Sequence, residues 1–61
     1  MSEKLISELR RKEIFLELVK VQDGGTSVVE SRKVIAQQFG LTEPQIRRIE
    51  QEGLDYQWPP L

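Results

Sequence analysis

Residues 35–53 read IAQQFGLTEPQIRRIEQEG, and the intervals in this stretch decide the fold. Two short helical patterns flank Gly40-Leu41-Thr42. Helices joined by so short a turn must cross steeply, and each residue type then has a reason. Ala36 falls where the two helices approach most closely, so a small side chain is required. Gly40 supplies the positive φ that a tight turn demands. Ile35, Phe39, Leu41, Ile46 and Ile49 point into a shared core. Thr42 and Gln45 have capping-box spacing, with the hydroxyl accepting from the Gln45 N–H while the Gln45 amide reaches back. Glu43 suits the positive end of the helix dipole, and Pro44 loses nothing in a first turn. Gly53 reads as a stop, so this helix should run to about Glu52. Residues 31–53 are therefore a helix-turn-helix pattern.

Working outward, the N-terminal segment reads as a helix over Glu3–Val21, within residues 1–22, with Ser2 as its N-cap. Leu5, Leu9, Leu16 and Val19 share one side at about 100° per residue, and Ile14, Leu18 and Val21 extend it. Glu13, Glu17 and Lys20 cluster opposite. Gln22-Asp23-Gly24-Gly25 is a clear stop. Thr26–Glu30 allows two readings. Ser27 and Glu30 have capping-box spacing that starts the next helix at Ser27; alternatively Val28 and Val29 belong to a loop and Ser31 is the cap. Either way that helix ends at Gln38 or Phe39. The tail, LDYQWPPL over residues 54–61, should be extended because Pro59 and Pro60 exclude helix. The expected core is Ile14, Leu18, Val34, Ile35, Phe39, Leu41, Ile46 and Ile49, with Trp58 folded back on it. The fold class is all-α, one small three-helix domain over residues 1–61.

Composition narrows the function classes. The chain has 61 residues, enough for one domain, and so short a chain buries only about 60% of its unfolded surface. It has no Cys and no His, which removes disulfides, thiolate metal sites and the usual nucleophile–base pairs. No calcium-loop spacing occurs. We expect no enzyme activity, no cofactor and no metal. The start, MSEKLISELRRK, has neither the apolar region nor the cleavage site of a signal peptide. No apolar run approaches the roughly 20 residues of a membrane span. The expectation is a soluble cytoplasmic protein. Net charge is −1, but basic residues group locally at Arg10-Arg11-Lys12, Arg32-Lys33 and Arg47-Arg48.

A resemblance enters on these residues. Ser31 to Leu54, SRKVIAQQFGLTEPQIRRIEQEGL, resembles the helix-turn-helix of bacterial sigma factor region 4. In that family an aliphatic-small-x-x-Phe run leads into a short turn, a Thr cap, then Ile-Arg-x-Ile-Glu. Ile35-Ala36-Gln37-Gln38-Phe39, Thr42 and Ile46-Arg47-Arg48-Ile49-Glu50 stand in those places, and the likeness extends loosely from Arg11. Where the family carries basic residues around the first turn of its recognition helix, this chain has Glu43 and Gln45; Arg47 is the base-reading position that is kept. The 61 residues contain no polymerase-binding region, so the resemblance implies the fold and DNA binding rather than promoter specificity.

In such a motif the second helix enters the major groove and the first crosses the backbone. With Ile46 and Ile49 in the core, the outward face carries Glu43, Pro44, Arg47, Arg48 and Gln51. Arg47 is suited to bidentate contact with guanine, Gln51 to adenine and Glu43 to cytosine. Ser31, Arg32, Lys33, Thr42 and Arg48 are suited to phosphate. The expected partner is double-stranded DNA, in transcriptional control or as the DNA-binding module of a larger assembly. The alternative is a protein-interaction adaptor on the same fold, with the tail YQWPPL docking on a partner's aromatic groove. Leu5, Ile6 and Leu9 lie beyond a small core and offer a homodimer contact.

Overall fold

In a computed structural model describing residues 6–61, three helices pack each against the other two: α1 (Glu8–Asp23), α2 (Val28–Phe39) and α3 (Glu43–Tyr56). Among the described residues there is no strand.

The start of α1 differs from the Glu3 start expected. Ile6 and Ser7 are not helical, and Ser7 is the cap, accepting a 3.1 Å hydrogen bond from the Arg10 N–H. Ser2 lies outside the described residues. The helix continues past Val21 to Asp23, where Gly24 caps it and Gly25 takes φ 101°. Its apolar residues divide between two faces. Ile14, Phe15 and Leu18 are buried, while Leu9 remains 80% exposed on the outer side. Of the side read as Leu5, Leu9, Leu16 and Val19, Leu9 thus points away from the core, Leu16 is half-buried and Val19 packs against the core, while Leu5 lies outside the described residues. A continuous apolar arc could not distinguish the two.

The two readings of Thr26–Glu30 resolve in favour of Ser27. Its hydroxyl accepts from the Glu30 N–H at 3.2 Å and the helix begins at Val28. At the far end Gly40 adopts φ 69° and the Leu41 N–H returns to the Ala36 carbonyl at 2.8 Å. The capping box of α3 forms in both directions, Gln45 N–H to Thr42 Oγ1 at 3.3 Å and Thr42 N–H to Gln45 Oε1 at 2.9 Å. These caps satisfy backbone donors that the first turn leaves orphaned, each contributing about 1 kcal/mol.

Gly53 does not end α3. The helix runs three residues further, to Tyr56, and Gln57 in the left-handed region ends it, with the Trp58 N–H donating to the Gly53 carbonyl at 2.9 Å. The first residues of the expected extended tail are therefore helical. The chain then turns, and the Leu61 N–H donates to the Trp58 carbonyl at 2.9 Å. Trp58 folds back as expected, 6% exposed and edge-on to Phe15 with ring centroids 6.1 Å apart. A tail so anchored cannot offer its indole to a partner.

The buried core is Ile14, Phe15, Leu18, Ile35, Ala36, Ile46, Ile49 and Trp58, with Phe39 and Leu41 partly buried against it. Each large member contributes about 1.5–3 kcal/mol by leaving water. Two corrections apply to the expected set. Phe15 belongs to it, and Val34 does not, being 42% exposed on the outer side of α2.

Candidate nucleic-acid interface

The turn between α2 and α3 is three residues long, and Ile46 and Ile49 face inward. That commits the outward face of α3 to Glu43, Pro44, Arg47, Arg48 and Gln51, all of them exposed. Helical geometry places Glu43, Arg47 and Gln51 one turn apart along that face. Arg47 forms no ion pair among the described residues. Gln51 donates to Asp55 Oδ1 at 2.9 Å.

A shallow groove between α2 and α3 brings together Arg32, Pro44, Arg47, Arg48 and Gln51 with Glu50. Lys33, Thr42 and Glu43 line a different groove, over the turn, beside Val34, Ala36 and Leu41. The residues read as one interface thus split between two adjoining surfaces.

Ser31 joins neither. It is 0% exposed, donates to the Val28 carbonyl at 2.7 Å and accepts from Gln22 Nε2 at 3.1 Å. A phosphate cannot reach it, and its assignment to phosphate contact is withdrawn. Thr42 is exposed, but its hydroxyl accepts from the Gln45 N–H and donates to Gln45 Oε1 at 3.2 Å. It has no proton left for a phosphate while the cap holds.

Arg32 is also engaged. Its Nε and terminal nitrogen both lie 2.9 Å from Glu50 Oε1, and Gln22 Nε2 donates to Glu50 Oε2 at 3.3 Å. The Glu50 side chain is only 14% exposed. One carboxylate therefore ties α1, α2 and α3 together. Two residues along, Glu52 receives Arg11 in a two-pronged pair, Nε to Oε1 at 2.8 Å and the terminal nitrogen to Oε2 at 3.0 Å. The hydrogen bond to Glu52 raises the Arg11 pKa above the ordinary arginine value; burial opposes this, and the charges of Glu52 and Glu8 add to it. Arg11 also donates to the Ile6 carbonyl at 2.6 Å.

Sequence reasoning missed both clasps, because Arg32 and Arg11 are remote in sequence from their acceptors. A signal did exist for Glu50: it lies four residues after Ile46 and one after Ile49, on the edge of the buried stripe, where a carboxylate needs a partner. Lys33 pairs loosely with Glu30 at 3.8 Å on the surface.

No group of three or more carboxylates among the described residues is placed to hold a metal ion. No helix among them is long and apolar enough to cross a membrane. No protein-family model matches this chain, and neither a curated protein nor a solved structure matches it. The class that the fold defines is a small all-α domain of three helices.

Proposed function

We propose that this domain binds duplex DNA, with α3 as the helix presented to the major groove. The observation that carries the reading is the state of Arg47. It is exposed on the outward face of α3 with no ion pair among the described residues, whereas six other cations each lie within 4.0 Å of a carboxylate. An arginine so placed is suited to guanine O6 and N7. Glu43 and Gln51 flank it by one turn on either side. Arg48 borders the same groove and is suited to phosphate. The role is transcriptional control in the cytoplasm, or DNA binding for a larger assembly, as the likeness to sigma factor region 4 implies.

Selecting from a pool of random duplexes, then titrating the best duplex at two salt concentrations, tests this. Binding should weaken with salt by about 0.9 in log affinity per log salt for each phosphate neutralised. Failure to enrich any sequence, together with no salt-dependent binding, rejects the reading.

A protein-interaction adaptor is the second reading. What favours it is the neutralisation of Arg10, Arg11, Lys12, Lys20, Arg32 and Lys33 by carboxylates of the same chain. That leaves little positive field for a polyanion. The same titration separates the two.

A further inference from the structure

The stripe that α3 turns outward continues one turn beyond Gln51, to Asp55. Glu43, Arg47, Gln51 and Asp55 recur every four residues, and all of them are exposed. Gln51 Nε2 donates to Asp55 Oδ1 at 2.9 Å. Nothing in the fold calls for a carboxylate at this place. Asp55 lies in the last turn of α3, one residue before its end at Tyr56, where the helix dipole favours a cation. Among the described residues it enters no ion pair. Its contact is with a side chain that lines the groove of Arg32, Arg47 and Arg48.

That contact decides which edge of the Gln51 amide is on offer. An ionised carboxylate only accepts hydrogen bonds, so the amide nitrogen must face Asp55 and the carbonyl oxygen must turn away. The nitrogen carries two hydrogens, and Asp55 takes one of them. What remains for a base is one donor and one acceptor. In the major groove adenine shows the matching pair, N7 as acceptor and the N6 amino group as donor, whereas guanine shows two acceptors, N7 and O6. A glutamine free to turn can meet guanine by giving it both hydrogens. Held by Asp55, it has one to give and sets its carbonyl against the second acceptor.

We propose that Asp55 is a positioning residue that makes Gln51 select adenine over guanine. This rests on the reading of α3 as the groove helix, and adds to it a specificity set by a residue that acts through its neighbour. Gln51 follows Arg47 by four residues, roughly 6 Å along the helix. The selected adenine therefore stands about two base-pair steps from the guanine that Arg47 meets, at ~3.4 Å per step. Asp55 gains nothing from the duplex itself, because its charge repels phosphate. Removing that charge strengthens binding to all sequences alike, so a change in the ratio of adenine to guanine reports the amide and not the charge.

Selection from random duplexes by the unsubstituted chain, Gln51→Ala, Asp55→Ala and Asp55→Glu tests it. The unsubstituted chain should prefer adenine to guanine at one position by on the order of tenfold, and Gln51→Ala should lose that preference, which identifies the position. Asp55→Ala should bind every duplex more tightly yet bring guanine to within about twofold of adenine, because the amide can then give both hydrogens. Asp55→Glu, whose carboxylate still reaches the residue one turn back, should keep the adenine preference. Far-UV spectra should stay native throughout, since both side chains are exposed. An adenine preference that survives in Asp55→Ala, that disappears in Asp55→Glu, or that the unsubstituted chain never shows overturns the proposal while binding that depends on Arg47 remains. No enrichment by any of these proteins rejects the reading of α3 itself, and this proposal with it.

Discussion

Gly53 lies against the ring of Phe15 so closely that a Cβ at position 53 would overlap the ring carbons. Two helices meet there without a side chain between them, and the contact sets how α3 leans on α1. Gly53→Ala pits two effects against each other. Alanine improves helix propensity by about 1 kcal/mol, while overpacking costs about 1–3 kcal/mol. Because the ring is fully buried and Trp58 also packs edge-on with it, it has little room to give and overpacking should win. Urea unfolding should show a net loss of stability, and Phe15→Leu in the same chain should restore part of it.

Glu50 is the acceptor for both Arg32 and Gln22. Replacing it with Ala strands two donors in a half-buried site, at a cost of about 1–3 kcal/mol. The same change releases Arg32 beside the groove that holds Arg47. Affinity for duplex of any sequence should then rise, with the salt slope steeper by about 1. A loss of stability without that gain would mean that Arg32 lies outside the DNA footprint.

Thr42→Ala removes the α3 cap and should lower stability by about 0.5–2 kcal/mol. Ser31→Ala removes a hydroxyl that is bonded inside the protein, at about 0.5–1.5 kcal/mol. Neither should change the salt slope of DNA binding, since neither hydroxyl is open to a phosphate. Chemical denaturation and duplex titration on the same samples check both statements.

Trp58→Ala should be the most damaging substitution in the tail. Loss of a buried Trp costs about 3–5 kcal/mol, comparable with the whole stability of a marginal domain. In the unsubstituted chain the one indole reports on folding, so its emission should shift to the red in step with the loss of helical circular dichroism.

The elements most legible in the sequence are those fixed by local chemistry. Thr42 with Gln45, Gly40, and the pair of Gly24 and Gly25 act within one turn, and each stands where the sequence puts it. Ile35, Ala36, Ile46 and Ile49 follow from helical periodicity. The misreadings share one cause, which is contact between residues distant along the chain. Gly53 looks like a stop because glycine usually serves there; here it makes room for Phe15, 38 positions earlier in the sequence. Ser31 looks like a surface hydroxyl until Gln22 covers it. Arg32 looks free for phosphate until Glu50 folds over it.

The central claim is tested most directly by titrating Arg47→Ala and the unsubstituted chain against a selected duplex and a scrambled one. Ile46 and Ile49 hold the packing, so the variant should keep its far-UV spectrum. It should lose about 1–3 kcal/mol on the selected duplex and far less on the scrambled one, flattening the preference between them. Equal binding by both proteins, with native spectra, would contradict a groove-reading α3 and leave the domain as a protein-binding module.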